Sequence, residues 1–267
     1  MDRYAVIGHP VAHSRSPDIH AAFALQCGHA LAYDRVLAPL DGFAATVESF
    51  RARGGLGANV TVPFKEDAFA LAVSRTARAL KARAVNALKF EAGDIKGDNT
   101  DGVGLVRDIV TNLGVPLKGR RLLLVGAGGA ARGALGPLLE EGPAEVVIAN
   151  RTEQRAIDLA EAFEGVQTLA FSQLPGEPFD VVINATAASL GGQALPLGAV
   201  YRQGALAYDM MYGRDATPFM RAALDHGTRV ADGLGMLVEQ AAESFLFWRG
   251  VLPKTSPVIA QLRGTRA

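Results

Sequence analysis

The chain has 267 residues, 49% hydrophobic and 20% charged, enough apolar material for one large globular domain or two modest ones. Its 27 Lys and Arg balance its 27 Asp and Glu, so net charge offers no attraction to nucleic acid or an anionic surface. The single cysteine, Cys27, excludes an internal disulfide and fits a reducing compartment. No signal peptide precedes the first apolar segment, and no apolar run reaches the length needed to span a bilayer, so a soluble cytoplasmic protein is expected.

Tyr4-Ala5-Val6-Ile7-Gly8 reads as a first strand, followed by the polar loop 9–17. Ser16 and Pro17 suit the N-cap and first position of a helix running to about residue 27. A strand over 31–37, a helix over 42–53 and a short strand over 56–61 follow. The next segments are a helical pattern from about 66 to 73 and two strands over 84–90 and 94–96, joined at Ala92-Gly93. Gly97-Asp98-Asn99-Thr100-Asp101-Gly102 leads into a helix reaching about 113. This βα alternation predicts an α/β architecture with mostly parallel sheets.

A second unit opens at Arg121-Leu122-Leu123-Leu124-Val125, an apolar run that stops at Gly126-Ala127-Gly128-Gly129-Ala130-Ala131. Strand, glycine turn and helix start together form a dinucleotide fingerprint. Gly126 allows the turn, Gly128 lets a pyrophosphate approach the backbone, and Ala131 lets the helix pack closely on the strand. The strand over 145–149 ends at Asn150-Arg151-Thr152, with Arg155 one turn later. An NAD site places an acid here for the ribose hydroxyls. Two guanidinium groups instead favour a 2′-phosphate, and hence NADP. Further strands are expected near 167, 181 and 205. Residues 231–235 read as a glycine-rich turn before a helix over 236–248, whose Leu237, Ala241, Phe245 and Trp248 form one apolar stripe. Gln240 lies off that stripe.

In open α/β sheets, ligands bind beyond the carboxyl ends of strands. The polar loops there hold Ser14, Ser16, Thr61, Lys65, Asn86, Asn99 and Asp101. One cation, one carboxylate and several neutral hydrogen-bonding groups suit a small anionic polyhydroxylated substrate. Lys65 and Asp101 are the candidates for acid–base work. Each also has a plain structural reading, with Lys65 solvated, Asp101 and Ser16 capping helices, and Asn86 and Asn99 shaping turns. His9, His13 and His20 are close in sequence but lack a supporting set of Cys or carboxylates, so no metal is expected.

Four segments of the first half resemble the shikimate dehydrogenase family. They are His13-Ser14-Arg15-Ser16-Pro17 with His20, Asn59-Val60-Thr61-Val62-Pro63-Phe64-Lys65, Ala84-Val85-Asn86, and Gly97 through Gly102. The fingerprint Gly126 to Ala131, Asn150-Arg151-Thr152, Asn184-Ala185-Thr186, Tyr208-Asp209-Met210-Met211-Tyr212 and Gly233 through Gln240 continue the resemblance in the family's order. The resemblance implies two domains with a cleft between them, an α/β substrate-binding domain of residues 1–101 and 237–267 and a Rossmann-like NADP-binding domain of residues 102–236. It implies reversible NADPH-dependent reduction of 3-dehydroshikimate to shikimate, with Lys65 and Asp101 as the catalytic pair.

By the same resemblance, Ser14 and Ser16 would hold the substrate carboxylate. Thr61, Asn86, Asn99, Asp101 and Gln240 would bind the ring hydroxyls and nearby groups, and Tyr212 would lie near substrate and nicotinamide. Asn150, Arg151, Thr152 and Arg155 would hold the 2′-phosphate, while Thr186, Met210 and Gly233 would line the nicotinamide side. No metal, nucleic acid or membrane partner is implied, and a monomer or homodimer is expected. Two positions depart from the family pattern: Ala87 stands where threonine is usual, and Ala187-Ala188-Ser189 replaces a more typical Ser-x-Gly. A quinate-oxidising paralogue and a non-catalytic NADP-binding sensor are the competing readings.

Overall fold

The computed structural model describes residues 1–91, 93–174, 177–188, 192, 195–198 and 200–264. The chain divides into two units, residues 1–104 with 238–267, and residues 105–237. Both divisions fall within helices, at 104/105 and 237/238.

The first unit is built on strands β1 (Asp2–Gly8), β2 (Leu31–Leu37), β3 (Gly55–Val60), β4 (Ser74–Arg75), β5 (Ala87–Glu91) and β6 (Asp94–Asp98). They form one sheet in the order β2-β1-β3-β5-β6-β4. β5 alone runs against its neighbours β3 and β6, while the other pairings are parallel. The helices are α1 (Ser16–Cys27), α2 (Phe43–Ala52), α3 (Lys65–Leu71) and α4 (Ala77–Ala82), joined by most of the later α9 (Leu234–Arg249) and by α10 (Ser256–Gly264). Ile7, Val47, Phe50, Ala58, Phe64 and Leu88 are fully or almost fully buried in the core on one face. On α9 three residues of the expected stripe are inside, with Ala241 and Phe245 inaccessible and Trp248 nearly so, while Leu237 is half-buried. Trp248 stacks on Tyr4 with ring centroids 4.7 Å apart, and its indole N–H donates to the Leu88 carbonyl at 2.9 Å. Gly57 makes room for this, since a Cβ there would lie 2.7 Å from the indole nitrogen.

Some local expectations change. β4 and α4 lie where no element is expected. Thr76 caps α4, its hydroxyl accepting from the Ala79 N–H at 3.3 Å, and Arg83 closes it in the left-handed region at φ +49°. An alanine-rich stretch of six residues carries too little hydrophobic period to announce itself. Ser16 is not an N-cap. It is the first residue of α1, Arg15 holds the cap position, and the Arg15 side chain makes no capping hydrogen bond. Ala92, placed at the β5–β6 turn, lies outside the described residues.

The second unit carries β7 (Arg121–Val125), β8 (Glu145–Ala149), β9 (Val166–Leu169), β10 (Phe179–Asn184), β11 (Tyr201–Asp209) and β12 (Arg229–Asp232). All pair in parallel, in the order β12-β11-β10-β7-β8-β9. The sheet starts at its centre and reverses between β7 and β10, the Rossmann order, which opens a crevice at the carboxyl ends of those strands. α6 (Gly129–Glu140), α7 (Glu153–Ala160) and α8 (Pro218–Asp225) connect the strands. β12 ends inside the expected turn, at Ala231 and Asp232. Four residues at a sheet edge are too few to show a period, and pairing with 206–209 makes them a strand. α5 (Asp101–Arg107) passes into a π-helical turn, Asp108–Asn112, rather than continuing as α-helix. The Asp108 carboxylate there accepts from the Tyr208 hydroxyl at 2.7 Å and from Asn112 Nδ2 at 3.0 Å.

Candidate active site

In the first unit the predicted polar residues stand at one end of the sheet's strands. Ser14 and Ser16 follow β1, Thr61 and Lys65 follow β3, and Asn99 and Asp101 follow β6. Asn86 immediately precedes the antiparallel β5, so it reaches the same end from the other direction. Lys65 Nζ lies 2.6 Å from Asp101 Oδ2, with the two side chains 20% and 9% exposed. Asn86 Nδ2 donates to Asp101 Oδ1 at 2.9 Å. The carboxylate therefore accepts at both oxygens, and Asp101 is itself the first residue of α5. Its exposure leaves Lys65 a face toward solvent.

Gln240 also reaches this group. Its Oε1 lies 3.3 Å from Asn86 Nδ2 and 3.4 Å from Thr100 Oγ1. Thr100, fully buried, donates its N–H to Asn86 Oδ1 at 2.8 Å. Asn99 braces the loop from inside. Its Oδ1 accepts from the Asp101 N–H at 3.2 Å and its Nδ2 donates to the Ala84 carbonyl at 3.1 Å, so its carboxamide braces the start of α5 at Asp101. Thr61 is half-buried, with its methyl over Gly8, where a Cβ would come within 2.3 Å.

The serines form a second cluster. Ser14 Oγ lies 3.1 Å from Ser16 Oγ and accepts from the Ser16 N–H at 3.2 Å. Arg35 grips the Ser14 carbonyl with two guanidinium nitrogens, at 2.9 and 2.6 Å. Between the clusters lies Asn59, whose Nδ2 donates to the Asn86 carbonyl at 3.2 Å and to Ser244 Oγ at 2.8 Å. Sequence reasoning missed Tyr33, Thr100 and Ser244. Ser244 stands one helical turn beyond Gln240, a spacing that places both on one face, and this was the only signal available. Tyr33 is separated from its partners by many residues and carries no motif.

Arg78 is a further unforeseen residue. Its guanidinium lies 2.7 Å from Asp98 Oδ1, 2.5 Å from Asp98 Oδ2 and 3.3 Å from Glu243 Oε2. It thereby ties the start of the Asp98–Asp101 loop to α9.

In the second unit the fingerprint has the geometry a pyrophosphate requires. Gly126 takes φ +113°, a conformation that disfavours any other residue. A Cβ on it would also sit 2.9 Å from Thr186 Cγ2. The N-terminus of α6 has no side-chain cap, and a Cβ at Gly128 or Gly129 would meet nothing within 4 Å. An open, uncapped helix start leaves backbone N–H groups for an anion. Ala127 and Ala131 are buried against the sheet, with Ala130 half-buried between them.

At the end of β8, Asn150 Nδ2 donates to the Thr152 carbonyl at 2.7 Å. Arg151, Thr152 and Arg155 are exposed, and among the described residues neither arginine has an ion-pair partner. Thr186 follows β10 and donates its hydroxyl to Asn184 Oδ1 at 2.7 Å. Asn184 in turn donates to the buried Asp209 at 3.1 Å. Met210 and Gly233 meet directly, because a Cβ on Gly233 would lie 2.2 Å from the Met210 carbonyl oxygen. Tyr212 is half-buried just beyond β11. These residues stand at the carboxyl ends of β7, β8, β10, β11 and β12, and the donors and open helix start fit a dinucleotide with an added phosphate.

Comparison with known proteins decides the family. A shikimate dehydrogenase (NADP(+)) from Janthinobacterium sp. (strain Marseille) is 58% identical over 98% of this chain and 97% of its own length. The chain belongs to the shikimate dehydrogenase family. A second family member, from Nitrosospira multiformis, is also 58% identical, over 99% of this chain and 98% of its own. Family models match in three blocks. The shikimate dehydrogenase substrate-binding domain covers residues 6–88, shikimate/quinate 5-dehydrogenase covers 108–191, and the shikimate 5′-dehydrogenase C-terminal domain covers 233–263.

Among solved structures, an Ael1 enzyme from Pseudomonas putida is 52% identical with a TM-score of 0.94, covering 98% of each chain. The shikimate 5-dehydrogenase of Thermus thermophilus, solved with NADP(H) and shikimate, is 35% identical with a TM-score of 0.89 over the whole of both chains. Of the departures from the family pattern, Ala87 is fully buried opposite Asn59 and Asp98 in the sheet. Ser189 lies outside the described residues.

Proposed function

We propose that the chain catalyses the reversible NADPH-dependent reduction of 3-dehydroshikimate to shikimate. The observation that carries this reading is the 2.6 Å contact of Lys65 with Asp101 at the end of the sheet that also holds Ser14, Ser16, Thr61 and Asn86. Ser14 and Ser16 bind the substrate carboxylate, while Thr61, Asn86, Asn99, Asp101 and Gln240 hold the ring hydroxyls and nearby groups, with Asn99 also bracing Asp101. Gly126 through Ala131 take the pyrophosphate, and Asn150, Arg151, Thr152 and Arg155 take the 2′-phosphate. Thr186, Met210, Tyr212 and Gly233 flank the nicotinamide.

Bound NADPH supplies the hydride that adds to the ketone carbon. Negative charge then develops on the ketone oxygen, which must gain a proton. Asp101 accepts at both carboxylate oxygens, so the proton comes from the ammonium group of Lys65. Lys65 has three N–H donors, one aimed at Asp101. The others can meet the developing oxyanion, stabilise it and transfer the proton. In the reverse direction neutral Lys65 accepts the hydroxyl proton, while Asp101 orients it and balances the charge. The protein is read as cytoplasmic and as a monomer or homodimer, and among its described residues no helix is long and apolar enough to cross a membrane.

The test is NADPH formation followed by absorbance, with NADP⁺ or NAD⁺ against shikimate or quinate. Rapid turnover with shikimate and NADP⁺ alone is expected. Comparable rates with quinate or NAD⁺ overturn the substrate or cofactor assignment. NADP⁺ binding without turnover on either substrate means a binding module instead.

A further inference from the structure

The second unit holds a buried carboxylate that the mechanism does not use. Asp108 is 1% exposed and opens the π-helical turn after α5. Its Oδ1 accepts from Asn112 Nδ2 at 3.0 Å and its Oδ2 from the Tyr208 hydroxyl at 2.7 Å. Burial, together with the negative charge of Asp108, keeps that phenol protonated well above its usual range, so the hydroxyl is the donor. The Tyr208 oxygen in turn accepts from the Met236 N–H. The carboxylate also packs against α9, where a Cβ on Gly235 would come within 1.9 Å of Oδ1 and 2.3 Å of Oδ2. Glycine thus lets it approach the first turn of that helix, whose unpaired N–H groups favour a negative charge.

These contacts bracket one junction. Tyr208 stands two residues before Met210, and Gly235 two residues after Gly233. Met210 and Gly233 are the pair whose backbones touch, with the Gly233 N–H donating to the neighbouring Met211 carbonyl at 3.0 Å. Asp108 therefore holds both arms of that contact, one through Tyr208 at the end of β11 and the other through Gly235 at the start of α9. The helix widens at this point. The Leu113 N–H bonds back to the Asp108 carbonyl at 2.9 Å, five residues away instead of four, a departure that recurs at functional sites.

We propose that Asp108 is a positioning residue for the nicotinamide, acting through Tyr208 and Gly235 to fix the backbone contact of Met210 with Gly233. The proposal rests on the reading of Met210 and Gly233 as the nicotinamide wall. A carboxylate is required because both of its oxygens accept. An asparagine of the same shape has one acceptor oxygen, and its amino group would face either the Tyr208 hydroxyl or the Asn112 amide, both of them donors. One buried donor then loses its partner, and the start of α9 loses its counter-charge.

The experiment is single-turnover reduction of 3-dehydroshikimate by NADPH in stopped flow, for the unaltered protein, Asp108→Asn, Tyr208→Phe and the double variant. Binding of adenosine 2′,5′-bisphosphate, a probe without a nicotinamide, is measured alongside by calorimetry. Asp108→Asn is expected to slow hydride transfer by about 10- to 100-fold, the scale of a misplacement of about 1 Å, and to leave the Kd of the bisphosphate unaltered. Tyr208→Phe should slow it severalfold, and the double variant should be no slower than Asp108→Asn. Hydride transfer at the unaltered rate in Asp108→Asn overturns the proposal, as do penalties that multiply in the double variant. Bisphosphate binding weakened in step with the rate also overturns it and makes Asp108 a structural residue. If the unaltered protein itself reduces no 3-dehydroshikimate, the reading of the site fails first and the proposal falls with it. Tyr208→Phe alone, judged by the same two readouts, serves if Asp108→Asn does not fold.

Discussion

Lys65 and Asp101 illustrate what a single side chain can disclose. Each follows a strand end, and each is of a type that moves protons, so both were legible from position and chemistry. Their 2.6 Å separation was not, because they stand 36 positions apart in the chain. Lys65→Ala is expected to lower turnover by about 10²- to 10⁴-fold, the scale of general acid catalysis. Binding of NADP⁺, measured by calorimetry, should be unaffected. Retained turnover would remove Lys65 from the mechanism. Thr100, Tyr33 and Ser244 were illegible for a different reason. Neutral hydroxyls occur throughout a chain, and only placement beside a particular carboxamide distinguishes these.

Elements carry constraints that residues do not. The junction of β12 and α9 depends on Gly233, whose missing Cβ admits the Met210 carbonyl. Gly233→Ala places an atom 2.2 Å from that oxygen, and backbone cannot rotate aside as a side chain can. A loss of about 1–3 kcal/mol is expected, on the scale of overpacked cores, read as a lower urea midpoint together with weaker NADP⁺ binding. At the junction of β8 and α7, the exposed Arg151 predicts cofactor choice. Arg151→Ala should reduce the preference for NADP⁺ over NAD⁺ by about 10- to 100-fold in kcat/KM, the scale of one or two charge-assisted hydrogen bonds. An unaltered ratio would move phosphate recognition elsewhere. Arg78 joins β6 to α9 through Asp98, which is 2% exposed. Arg78→Met leaves that carboxylate buried without its cation, and a destabilisation of about 3 kcal/mol is expected in denaturant titration. Glycines at strand ends announce such junctions in a sequence, whereas an arginine bridging two distant acids does not.

At the scale of the whole molecule, folding has a pH dependence that His20 contributes. Its pKa is about 3 in the folded chain against an ordinary 6.5, because burial disfavours the imidazolium. Below pH 6.5 the unfolded chain takes up a proton that the folded chain refuses. Stability from this group is complete above pH 6.5 and is lost as pH falls toward 3, at a slope of up to about 1.4 kcal/mol per pH unit. The only tryptophan, Trp248, lies 5.2 Å from the His20 ring, so its fluorescence reports this unit. The urea midpoint should decline between pH 6.5 and 5, and His20→Gln should flatten the decline; an identical decline in that variant would place its origin in other groups. The sequence by itself determined the α/β class, the dinucleotide fingerprint, the two arginines that suit a phosphate and the loops that carry the chemistry. All of these depend on local order: hydrophobic period, glycine placement and the residue type that follows a strand. Only the tertiary structure decided the antiparallel β5, the edge strand β12, the π-turn at Asp108 and the buried network through Tyr33, His20 and Asn59. Those depend on which distant backbone and side-chain groups become neighbours, and pairing across tens of residues leaves no periodic trace in the chain.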